Sequence, residues 1–154
     1  MNYTTATYKG WQVIRTDNRW MRLYITPQLG GRVIQIEMDN YSYLFNHPLL
    51  EGKEPDHTRL GENGKWLNFG GEKIWPAPQG WASPDQWAGP PDPVLDSGEY
   101  HCGLNQIEEV GTEIILNSPI DPYTGLQISR EICLFPGFSG MDITVTFHNR
   151  SDKV

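Results

Sequence analysis

The chain has 154 residues, with 12 Lys and Arg against 19 Asp and Glu and a formal net charge of -7. That length holds one domain, residues 1–154, with a real core, and its acidic balance argues against a nucleic-acid or anionic-membrane partner, neither of which is drawn to a negative surface. Cys102 and Cys133 lack Cys-x-x-Cys spacing and are expected as reduced thiols; a start without a basic or an apolar leader region, and no window near the ~20 apolar residues of a membrane span, give the expectation of a cytoplasmic protein.

The first strand-like segments are Lys9 to Ile14 and Arg19 to Thr26, joined by a hairpin-type turn at Asp17-Asn18. Within the second, Met21, Leu23 and Ile25 alternate with Arg22 and Tyr24, the period of two that a half-buried strand requires. Pro27-Gln28-Leu29-Gly30-Gly31 breaks the pattern. Arg32 to Met38 resumes it, with Ile34, Ile36 and Met38 expected on one face and Val33, Gln35 and Glu37 on the other. Asp39-Asn40 turns the chain again, and Tyr41 to Phe45 reads as a further short strand.

From about 48 to 93 the periodicity disappears, in a stretch rich in proline and tryptophan. A loop this long in a compact domain is expected to be functional, and its aromatics argue for order rather than disorder. Residues 85–93 read either as a rim or lid or as a surface meander tied down by Trp87. Strands are expected again from Val94 onward, with a hairpin of Gln106 to Val110 and Thr112 to Asn117 about Gly111, and a turn at Asp121 to Gly125. Leu126, Ile128, Ile132 and Leu134 share one face, which Arg130 interrupts. Met141, Ile143, Val145 and Phe147 then alternate with Asp142, Thr144, Thr146 and His148. No window carries a helical stripe, so the fold class is all-β, an antiparallel β-sandwich. So well patterned a strand, with no closing element behind it, invites a strand from elsewhere, either a second copy or a missing C-terminal half.

The densest chemistry lies from Trp66 to Gln79. Gly70 and Gly71 allow unusual backbone, Pro76 and Pro78 fix it, and Trp66, Phe69, Trp75, Trp81 and Trp87 supply aromatic faces beside Asn68, Glu72, Lys73 and Gln79. Flat apolar faces next to hydrogen-bonding heads suit a sugar; the competing reading is that these rings cover one end of a β-core. Glu72 reads as a general base or as an ion-pair partner of Lys73. Arg32 reads as a ligand contact, as a surface charge or as a partner for Glu37. The four histidines show no ligand spacing, and neither a metal nor a cofactor is expected.

Three stretches carry a resemblance. Ile25 to Ile34 followed by Tyr43-Leu44-Phe45-Asn46, then Gly70-Gly71-Glu72-Lys73-Ile74-Trp75-Pro76, then Pro90 to Pro93 with Gly98-Glu99-Tyr100, together resemble the N-terminal half of galactose mutarotase-like (aldose 1-epimerase-like) proteins, in an uncharacterised branch. The resemblance implies a β-supersandwich with a sugar cleft on a concave sheet face and, as activity, cofactor-independent interconversion of aldose anomers. Members run to roughly twice this length, with their catalytic Glu and His largely in the other half. His101 falls where the superfamily often has a sugar-contacting His, and Phe69 stands where the phosphosugar branch has an arginine. The expected binding set is Arg32, Asn68, Glu72, Lys73, Trp75, Gln79, Trp81 and His101, with no catalytic residue assigned. The expected function is carbohydrate binding by an isomerase relative, a non-catalytic sugar-binding module, or an assembly fragment of a longer protein.

Overall fold

The computed structural model describes residues 3–55, 67–76, 94–107, 111–122 and 124–152. Two antiparallel sheets form the architecture. The first contains β1 (Tyr3–Tyr8), β2 (Trp11–Asp17), β3 (Met21–Thr26), β4 (Arg32–Met38) and β5 (Tyr41–Ser42), paired in chain order; the second contains β6 (His101–Ile107), β7 (Gly111–Asn117), β8 (Leu126–Leu134) and β9 (Met141–Asn149), likewise in chain order. The one helical element among the described residues is a 3-10 turn at Pro48–Leu50. Among the described residues, no helix is long and apolar enough to cross a membrane.

The sandwich core follows from the alternation. Met21, Leu23, Ile25 and Val33 of the first sheet pack against Ile114, Leu116, Ile128, Ile132 and Leu134 of the second. At about 1.5–3 kcal/mol for each fully buried large apolar side chain, this cluster is the main attraction between the sheets. The opposite face of the first sheet carries a smaller cluster of Trp11, Val13, Leu29, Ile34 and Phe69, so that sheet is covered on both sides. The outer face of the second sheet is polar. β9 is an edge strand whose Met141, Ile143 and Val145 are only half-buried against the core.

Several strand expectations shift. The first strand precedes Lys9: Lys9 and Gly10 form the β1–β2 turn with φ of 48° and 91°, and β1 escapes the pattern because most of it is exposed. Tyr41 to Phe45 shortens to a two-residue strand. Residues 94–98 are turn rather than strand, and Gly111 lies inside β7 opposite Ile107. The expected face assignment of β4 fails at one end. A bulge lets Tyr24 pair with Gln35 but Ile25 with Val33, so Val33 joins Ile36 and Met38 toward the second sheet and Ile34 faces away. Cys102 projects into the core from β6, whereas Cys133 lies on the other face of β8 beside Glu113 and Asp142, which keeps the thiols apart.

Candidate functional site

Two places gather polar side chains at the junction of the sheets. The first is a seam built on glycines. Gly30 and Gly31, with φ of 69° and 55°, close the β3–β4 connection against Asp96 and the Tyr100 ring, where a Cβ on either would collide. The chain between Phe69 and Glu72 docks by Gly71 N to Phe45 O and Glu72 N to Val33 O, both 2.9 Å. Arg32 lies at the centre, only 2% exposed. Its Nε donates to Leu29 O at 2.8 Å, Nη1 to Gly70 O at 2.9 Å and Nη2 to Asp96 O at 2.6 Å, with the Asp96 carboxylate 3.3 Å from Nη2. Arg130 enters from β8, donating to Gly31 O at 2.8 Å and pairing with the Glu72 carboxylate.

The electrostatics of the seam follow from burial. Desolvation pushes Arg32 below its ordinary value against the pull of Asp96, and pushes the Asp96 carboxyl up against the pull of Arg32 and then Lys73. Half-buried Lys73 is lowered by the same cause. Its ammonium donates to Asn68 Oδ1 at 2.5 Å and stands 5.6 Å from the Trp75 ring centre. The sequence-predicted residues Arg32, Asn68, Glu72, Lys73 and Trp75 are thus brought together here. In this setting Arg32 is a buried strut bonded to backbone carbonyls and Asp96, not a partner of Glu37, and Glu72 pairs with Arg130 rather than with Lys73. Gln79 and Trp81, with Trp66 and Trp87, lie outside the described residues.

The second place is a cleft of about 500 Å³ at the end of the second sheet, lined by Glu99, Tyr100, His101, Asn117, Ser118, Pro119 and Gln127. Tyr100 sets it: its hydroxyl donates to Leu95 O at 2.6 Å, its backbone N donates to Pro27 O at 2.8 Å, and its ring packs on Gly31. With Tyr100 pinned inward, alternation turns Glu99 and His101 outward, and both are exposed. Neither side chain makes a hydrogen bond among the described residues. Gln127 is held from two sides, donating to Ser118 O at 3.0 Å and accepting from Arg150 Nε at 3.1 Å. His101 therefore belongs to a different place from Arg32, Asn68, Glu72, Lys73 and Trp75.

Sequence reasoning missed Asn117 and Gln127, which carry no local signal because only strand pairing sets Asn117 opposite His101. It also missed Asp96 as a partner of Arg32, whereas Arg130 had shown itself as the charged break in an apolar face. A further cavity of about 250 Å³ has Asp17, Asn18, Arg22, Glu37 and Asp39 in its lining, with Arg22 paired to Glu37 at 3.5 Å and Asp17 to Arg15 at 3.0 Å. No protein-family model, curated protein or solved structure matches the chain.

Proposed function

We propose that the protein binds a monosaccharide in the cleft at the end of the second sheet. The observation that carries this reading is the pair Glu99 and His101, exposed and without hydrogen bonds among the described residues, at the mouth of a cavity of about 500 Å³ that also holds two side-chain amides. Carboxylate, imidazole and amide together offer donors and acceptors on several sides, as a ligand edged with hydroxyls requires. The seam supplies contrast, since Arg32 and Arg130 already donate to carbonyls and to Glu72 within it and Lys73 donates to Asn68.

The same pair supports a second reading, interconversion of aldose anomers, in line with the mutarotase-like resemblance. One group takes the proton from the anomeric hydroxyl while the other protonates the ring oxygen. The bond from the anomeric carbon to the ring oxygen breaks, the open-chain aldehyde rotates, and the reverse transfers close the other anomer. No cofactor enters that balance.

Calorimetric titration with D-glucose and D-galactose tests binding. Glu99→Gln is expected to weaken it by about tenfold or more, the worth of a charge-assisted hydrogen bond, and His101→Ala by about fivefold, the worth of a neutral one. Loss of binding in Trp75→Ala with His101→Ala unaffected would move the site to the seam, and no binding by the unaltered protein would overturn the reading. Faster exchange between anomers in NMR exchange spectra, lost in both cleft variants, would support the enzymatic reading; exchange at the buffer rate would leave binding alone.

A further inference from the structure

The outer face of the second sheet carries a polar row that runs into the cleft. His101 stands opposite Asn117, Asn117 opposite Ser129 and Ser129 opposite Thr146 across the four strands, with His148 two residues beyond Thr146 on the same face of β9. The Ser129 hydroxyl donates to Asn117 Oδ1 at 2.6 Å, and His148 Nε2 lies 3.1 Å from the same Ser129 oxygen. A serine has one hydroxyl proton. With the amide of Asn117 placed so that it takes that proton, the His148 contact is made by the tautomer carrying Nε2–H, which donates to Ser129. The chain of donation then runs from His148 to Ser129 to the amide oxygen of Asn117, the reverse order requiring the Asn117 amide to be turned about.

That direction fixes what the cleft meets. With its oxygen held by Ser129, Asn117 has its Nδ2 left over, and this nitrogen makes no hydrogen bond among the described residues, although Asn117 is part of the cleft wall. We propose that Asn117 is a specificity-determining donor of the cleft, with Ser129 and His148 as positioning residues that keep its amide from flipping. A ligand must then bring an acceptor oxygen to this wall, a hydroxyl or ring oxygen of a sugar. The inference rests on the cleft being the sugar site and adds to it the polarity of one wall and the residues that set it.

The experiment is titration of the unaltered protein and of Asn117→Asp, Ser129→Ala and Ser129→Thr with D-galactose and D-glucose. The Asn117 side-chain amide signal is followed in nitrogen-correlated NMR spectra and assigned by its loss in Asn117→Asp. Aspartate keeps the size of the side chain and can still accept from Ser129, so the variant retains the row while losing the donor. The expected result is a sugar-dependent shift of the Asn117 amide signal and a loss of about tenfold or more in affinity in Asn117→Asp. Ser129→Ala should lose a few-fold, about the worth of one neutral hydrogen bond, and Ser129→Thr, which keeps the hydroxyl, should restore it. If the unaltered protein binds sugar while the Asn117 amide does not shift and Asn117→Asp binds equally well, the inference fails and the cleft reading survives. If the unaltered protein binds neither sugar, both fail together.

Discussion

Asp96 shows how burial and charge compete on a single residue. It is 3% exposed, and among the described residues neither carboxylate oxygen makes a hydrogen bond although Arg32 Nη2 comes within 3.3 Å of one of them. That arginine nitrogen already donates to the Asp96 backbone carbonyl at 2.6 Å, so the carboxylate receives attraction without an aligned proton. Desolvation wins, and the carboxyl sits above the ordinary aspartate value of 3.8. A carboxyl raised in the fold holds its proton more tightly than the unfolded chain does. Its contribution is therefore fully present below 3.8 and is lost as pH rises through the folded value. Asp96→Asn removes the ionisation and leaves Arg32 its three carbonyl partners. We expect the variant to lose less stability than the unaltered protein between pH 4 and pH 7, read as urea midpoints; an equal fall in both would show that Asp96 is not the source of that slope.

At the scale of elements, what could be read in the sequence was what local chemistry dictates. Asp39-Asn40 declared a turn, and both residues take positive φ, 50° and 63°. Met21, Leu23 and Ile25 declared their face, and all three meet the second sheet. The bulge in β4 left no such trace, because it depends on how Ile25 finds Val33 across the ladder and not on the order of residues within one strand. The cleft was illegible for the same reason: Glu99, Asn117 and Gln127 come from separate segments that only register assembles. Gly70 lies between these cases. The sequence marked it as a place for unusual backbone, and the structure adds that its φ is 94° and that a Cβ would fall 1.9 Å from the Phe45 carbonyl oxygen. Gly70→Ala should therefore destabilise toward the upper end of the usual range of about 0.5–3 kcal/mol. Gly137, which has nothing within 4 Å of such a Cβ, gives the control. Thermal melts of the two alanine variants compare them directly, and equal melting temperatures would refute the steric argument.

At the scale of the whole molecule, the two buried arginines fasten the sheets where the apolar core ends. Arg32 leaves β4 for Gly70 and for the Asp96 segment that leads into the second sheet, while Arg130 leaves β8 for Gly31 and Glu72 on the first sheet's side. The Arg130–Glu72 pair is unequal, with side-chain exposures of 1% and 28%. Removing either partner leaves the other's charge behind, and the cost depends on whether that charge can reach water. Without Glu72, the guanidinium of Arg130 stays buried with the Gly31 carbonyl as its one remaining partner among the described residues; without Arg130, the carboxylate of Glu72 can turn to solvent. Glu72→Gln is therefore expected to cost roughly 3 kcal/mol. Arg130→Met, which replaces a charge with an apolar chain among Ile128 and Ile132, should cost about 1 kcal/mol, the worth of the lost hydrogen bond. Once the arginine is gone its buried charge is gone too, so the double variant should match Arg130→Met rather than the sum of the two. Chemical denaturation of the three variants reads this directly. A larger loss in Arg130→Met than in Glu72→Gln would mean that the guanidinium contributes attraction between the sheets beyond balancing its own burial.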